Sequence, residues 1–214
     1  GDGRAWATRS RLSSDPTPDN AVALALAVKD PHPSVVYIAR PCQYLDAGDL
    51  ATCAPKYWSS HRFATEVLVA FNALLDEVTK AGVSMTPVRL GLVGYSGGGT
   101  LAAFLAIARS DVDWLVTVAA NLDHQAWTAF HQVSPLQGSR SLVNEFSQLA
   151  KIRQCHLLGQ YDEIVPPPLA RAFLSKLRDI SSPGLVSWKT IAEFDHGCCW
   201  PTLWPRALLP CAGH

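Results

Sequence analysis

The sequence has no apolar stretch near the roughly 20 residues that span a bilayer; its longest candidate is the alanine-rich run at residues 21–28. The chain is therefore read as soluble, with no membrane span. It has no excess charge of either sign, since Lys plus Arg and Asp plus Glu each number 18. No net field draws in nucleic acid or an anionic membrane, and nucleic acid is not an expected partner. The six cysteines form no C-x-x-C pair, which argues against a structural zinc site. Around Ser96 there is neither a Gly-x-Gly-x-x-Gly nor a Gly-Lys-Ser/Thr spacing, so the usual phosphate-cradling loops are excluded there. Gly1 is preceded by no initiator Met and followed by no charged-then-apolar leader, as expected of a mature or trimmed product.

What is present is a composition for one core. The 214 residues are 48% hydrophobic and 17% charged, enough for a single globular domain over 1–214. The cysteines read either as disulfides or as buried thiols acting as small hydrophobes. Cys42 with Cys53 is one candidate pair, and Cys198 or Cys199 with Cys211 is another. Disulfides would imply an exported protein, periplasmic or secreted.

Hydrophobic periodicity sets the organisation. Pro18, Asp19 and Asn20 signal the start of a helix over 21–28, apolar almost all round and so expected to pack on both sides. Residues 35–39, rich in β-branched types between two prolines, read as a buried strand. Phe63, Val67, Phe71, Leu74, Leu75 and Val78 draw one helical stripe ending near Gly82. Strands are expected at 88–93, 114–119, 155–158 and 185–191, with helices over 100–108 and along Leu169, Phe173, Leu174 and Leu177. Alternation of this kind predicts an α/β fold, a mostly parallel β-sheet with helices on both faces. Residues 121–144 break the pattern and read as an irregular, lid-like excursion.

The chemistry-bearing motif is Gly94, Tyr95, Ser96, Gly97, Gly98, placed where an apolar strand runs into an apolar helix. A serine on so sharp a turn takes strained backbone angles and presents its hydroxyl beyond the sheet edge. Its neighbours two residues away must be small because strand and helix nearly touch there. The helix N-terminus offers unpaired N–H groups to a developing negative charge, with Gly97 N–H the first such donor. A serine hydroxyl needs an imidazole to take its proton, and His196, in a loop just past the last strand, is the best placed of seven histidines. The imidazole needs a carboxylate to hold its tautomer. Asp162 leaves the preceding strand, while Asp123 and the adjacent Asp195 are the competitors.

These residues resemble the α/β-hydrolase superfamily of serine esterases and lipases, and the likeness runs along nearly the whole chain. It implies the chain order Ser96, Asp162, His196 and a second oxyanion donor from an early glycine loop. Gly1, Asp2, Gly3 and Trp6 resemble that loop, which makes the N–H of Asp2 the donor. Family members carry further strands ahead of the loop, so this chain is expected to lack the first strands of the fold. The resemblance implies a carboxylic-ester hydrolase working through an acyl-enzyme on Ser96, with a small-molecule ester or acyl substrate and no metal or organic cofactor. A thioesterase or peptidase of the same fold, or a non-catalytic binding protein on the scaffold, stands beside it. Trp127, Phe130 and Trp200 are candidates either for an acyl pocket or for plain packing. Arg62, beside Trp58, is a candidate either for a substrate carboxylate or for a structural ion pair.

Overall fold

A computed structural model describes residues 1, 3–8, 11–81 and 88–206. Four parallel strands, β1 (Leu90–Tyr95), β2 (Val112–Val118), β3 (Gln154–Gly159) and β4 (Val186–Ile191), form one sheet in sequential order. The helices are α1 (Val22–Lys29), α2 (Ala47–Leu50), α3 (Thr65–Ala81), α4 (Gly97–Ala108), α5 (His124–Phe130), α6 (Phe146–Leu149), α7 (Pro167–Asp179) and α8 (Trp200–Leu203). Among the described residues, short 3-10 turns at Pro55–Trp58 and Leu142–Glu145 complete the set.

Alternating side chains on each strand face opposite layers. Leu115, Leu158 and Val186 join α3, α4, α6 and α7 in one core, whose centre includes Leu149, Leu174 and Leu177 with no exposed surface. Val116, Val118, Cys155 and Leu157 face the other way, onto Val22 and Leu26 of α1 and onto Trp200. Both faces are therefore covered, which is what an apolar parallel sheet requires. Tyr95, Val118 and Leu157 stand in one row across the sheet, and Gly159 lies opposite Ile191. The strands consequently release their loops along one carboxyl edge.

Several expectations are corrected. Residues 35–39 pair with no strand among the described residues, and Val35 and Val36 are exposed; without a neighbour to take its backbone groups, a β-branched run stays an extended surface segment. Helix α1 buries Val22 and Leu26 but leaves Val28 78% exposed, so it packs on one side only. Its N-cap is Ala21, which has no side-chain acceptor to cap with, and the Asp19 carboxylate pairs with Arg4. On α3 the buried stripe runs through Val67, Leu68, Phe71 and Leu75, with Leu74 exposed; Gly82 lies outside the described residues.

The segment 121–144 is less irregular than its composition suggests. Asp123 caps α5 by accepting from the Gln125 and Ala126 N–H groups. The stretch after it is stitched to the body, since Ser139 Oγ donates to Ser60 O at 2.9 Å and Arg140 N–H donates to Phe63 O at 3.1 Å. A disulfide joins Cys42 to Cys53 around α2. Cys198 is bonded to its neighbour Cys199; Cys211, expected as the partner of one of them, lies outside the described residues. No described cysteine is a free thiol. Among the described residues no helix is long and apolar enough to cross a membrane.

Candidate active site

Ser96 is the turn residue between β1 and α4. Its φ of 50° and ψ of −125° lie in a region that L-residues rarely occupy, and the Ser96 N–H to Val118 O bond of 2.9 Å helps to hold it there. The glycines around it are demanded by contact. A Cβ on Gly94 would stand 2.5 Å from both Gly98 O and Gly99 Cα, so strand and helix meet as expected. A Cβ on Gly98 would meet the backbone of Gly1 at 2.6 Å, so its smallness serves the N-terminal segment and not the strand. Gly99, which the five-residue pattern does not include, would carry a Cβ into that of Ala120 at 2.4 Å.

Three side chains converge at this edge. Ser96 Oγ lies 3.0 Å from His196 Nε2, and His196 Nδ1 lies 2.8 Å from Asp162 Oδ2. A carboxylate can only accept, so Nδ1 carries the proton and Nε2 is left to accept from the serine hydroxyl. Asp162 is 3% exposed, and its other oxygen accepts the Ile164 and Val165 N–H groups at 2.9 and 2.7 Å. The two competing acids make the same local turn with one oxygen, and what sets Asp162 apart is its second oxygen on His196 Nδ1. Asp123 caps α5, and Asp195 Oδ1 accepts the Gly197 and Cys198 N–H groups.

The loops carrying Asp162 and His196 are bound to each other and to the body. Tyr161 N–H donates to Phe194 O at 2.8 Å, and a Cβ on Gly159 would lie 2.7 Å from that same oxygen. The carbonyl of His196 accepts from Tyr95 Oη and from Trp200 Nε1, each at 2.9 Å, while the Tyr95 and His196 rings sit 5.3 Å apart. Neither donor stands out in the sequence, because hydrophobic patterning treats Tyr95 and Trp200 as core and is blind to where their polar tips point.

Gly97 opens α4, where an N–H has no carbonyl one turn back to bond. A Cβ on Gly97 would meet Arg40 Nη1 at 2.9 Å, so a guanidinium lies beside this turn. Asp2, expected as the second donor, lies outside the described residues, although neighbouring Gly1 packs on the first turn of α4. Trp200 is core, 1% exposed and edge-on to Phe194. Trp127 donates to Ile164 O, whereas Phe130 is 57% exposed with its ring against His131. Arg62 Nε donates to Ser59 O at 2.9 Å, and Trp58 Nε1 donates to Ser13 O at 3.1 Å. Among the described residues no three His, Cys, Asp or Glu side chains are grouped to hold a metal ion.

Comparison with known proteins gives the fold an independent footing. The chain is similar to a puromycin hydrolase, at 18% identity and a TM-score of 0.52 over 64% of this chain and 23% of that one. It is similar also to the Pyrococcus horikoshii acylaminoacyl peptidase, at 13% identity and a TM-score of 0.53 over 64% and 24%. The chain thus spans about a quarter of the length of these structures. No family model matches the sequence. The parallel sheet, its flanking helices and these neighbours define an α/β-hydrolase fold.

Proposed function

We propose that this protein is a serine hydrolase acting on carboxylic esters through an acyl-enzyme on Ser96. The reading rests on one observation above all: an unbroken path of hydrogen bonds, Ser96 Oγ to His196 Nε2 at 3.0 Å and His196 Nδ1 to Asp162 Oδ2 at 2.8 Å. In it, His196 takes the hydroxyl proton as Ser96 attacks the acyl carbon, then returns it to the leaving alcohol. Asp162 keeps the imidazole in the required tautomer and stabilises the imidazolium. The Gly97 N–H, with that of Asp2 as second donor, receives the charge that develops on the carbonyl oxygen. Water then enters, His196 deprotonates it, and the acid product leaves Ser96 free. The substrate is a small ester or acyl compound, and the disulfide-bonded cysteines favour an exported protein.

Amide chemistry is the second reading, favoured by the names of the two neighbours, a puromycin hydrolase and an acylaminoacyl peptidase. Turnover of short p-nitrophenyl esters against aminoacyl p-nitroanilides separates the two. An alkyl fluorophosphonate is expected to label Ser96, located by peptide mapping, and Ser96→Ala to abolish labelling and turnover with an unchanged melting temperature. A wild-type protein that neither labels nor turns over either substrate class overturns the hydrolase assignment and leaves a binding protein on the same scaffold.

A further inference from the structure

Helix α5 and the residue that ends it meet the Asp162 loop at the carbonyl of Ile164. Trp127 and His131 are four residues apart and so share one face of the helix. Trp127 Nε1 lies 2.6 Å from Ile164 O, and His131 Nε2 lies 2.9 Å from the same oxygen. A carbonyl oxygen accepts only, so His131 must carry its proton on Nε2. The two rings are packed 4.9 Å apart, which fixes both donors together.

The peptide unit that receives them is the one that holds the acid. The carbonyl of Ile164 and the N–H of Val165 belong to one amide, and that N–H donates to Asp162 Oδ1 at 2.7 Å. Two donors on the oxygen of an amide polarise it and strengthen its N–H as a donor. They also fix the plane of the amide and hence the line along which the N–H meets the carboxylate. Rotation of that carboxylate would carry Oδ2 away from His196 Nδ1, which it now meets at 2.8 Å.

We propose that Trp127 and His131 are positioning residues for the reaction: through the Ile164–Val165 amide they lock the Asp162 carboxylate toward His196. The proposal rests on the serine-hydrolase reading for its consequence in turnover, and on geometry alone for its consequence in the Asp162–His196 hydrogen bond. Neither residue touches the reacting atoms, so their removal acts on kcat and leaves KM in place. Small misplacements of catalytic groups are costly, and Trp127→Phe is expected to lower kcat about tenfold, with His131→Leu added about a hundredfold. His131→Gln, which presents an amide N–H near the position of the imidazole Nε2, is expected to restore most of what His131→Leu loses.

The decisive comparison repeats Trp127→Phe in an Asp162→Asn background. A clamp that works through the carboxylate has nothing left to do there, so kcat should change less than about twofold. The same tenfold loss in both backgrounds would overturn the proposal, and so would a loss confined to KM. A second readout needs no substrate: the deshielded Nδ1 proton of His196 in the ¹H NMR spectrum reports the Asp162 bond directly. It should move upfield or broaden away in the Trp127→Phe, His131→Leu double variant while the melting temperature stays close to that of the wild type. An unmoved resonance overturns the clamp. Absence of wild-type turnover together with a moved resonance would instead refute the hydrolase reading and uphold the clamp.

Discussion

His156 makes the stability of this protein depend on pH in a calculable way. It is fully buried in β3, with Nδ1 2.7 Å from Thr117 Oγ1 and Nε2 3.1 Å from Gln154 Oε1. The Gln154 amide nitrogen is committed to Leu149 O and Ile152 O, so its oxygen faces the imidazole and accepts from Nε2–H. Nδ1 then accepts from the Thr117 hydroxyl, and a second ring proton would have no acceptor without rearrangement. Burial pushes the imidazole from its ordinary 6.5 down to about 3. Between those values the unfolded chain binds a proton that the folded chain refuses, so stability is complete above the unfolded value and falls as pH falls. From about pH 8 to about pH 5 the loss from this one group is about 2 kcal/mol. Urea unfolding at both pH values, for wild type and for His156→Gln, isolates it. The variant starts from a lower stability because the core is disturbed, but its pH-dependent loss should be smaller by about 2 kcal/mol. An NMR titration of the wild type gives a check free of any variant, since the His156 Cε1 proton should hold its shift from about pH 8 to about pH 5. Equal losses in the two proteins, or a His156 resonance titrating near 6.5, would refute the argument.

Other outcomes follow from contacts already described. Gly94→Ala places a methyl against the backbone of Gly98 and Gly99 and should cost about 3 kcal/mol or more, visible as a large drop in melting temperature or loss of soluble protein. Asp162→Asn should lower kcat by about 10⁴ through loss of the imidazole tautomer, whereas Asp123→Asn, which keeps a helix cap, should leave it within about threefold in the same ester assay. Replacing Cys42 and Cys53 by Ser reopens a loop of sequence separation 11, and chain entropy puts the loss at about 3 kcal/mol in denaturant titrations.

The sheet and the three converging side chains were legible in the sequence for a physical reason. Apolar runs mark where the strands lie, and Ser96, Asp162 and His196 follow the carboxyl ends of β1, β3 and β4 by one, three and five residues, so one sheet edge gathers them. Each expected strand from 88 onward appears, displaced by two residues or fewer at either end. Residues 35–39 misled because a strand exists only by pairing, and no property of Val35 or Val36 reveals whether a neighbour is present. Within the excursion at 121–144 one helix was missed, for another reason. Helix α5 has seven residues, too few for a periodic signal, and its first turn depends on the Asp123 cap. Asp123 and Asp162 each hold the N–H groups two and three residues on with one oxygen, so no local signal separates them; only the contact of the second Asp162 oxygen with His196, thirty-four residues away, does.

What periodicity could not convey was how the loops are held. A loop that presents a charged or reacting group past the sheet edge has no ladder to fix it, and its carbonyls must find donors elsewhere. Here the solution is the same on both sides of the site. The carbonyl of His196 takes Tyr95 Oη and Trp200 Nε1, and the carbonyl of Ile164 takes Trp127 Nε1 and His131 Nε2. In each case an indole supplies one donor, a large ring that packing holds rigidly and whose N–H has a single direction. Two donors on one oxygen fix the position of a peptide plane, where one donor would leave it free to pivot. Tyr95→Phe should therefore disturb His196 while keeping the buried ring in place, lowering kcat several-fold with little change in melting temperature. Steady-state kinetics beside a thermal melt would check this, and a variant with wild-type kcat would show that Trp200 alone suffices to hold the His196 loop.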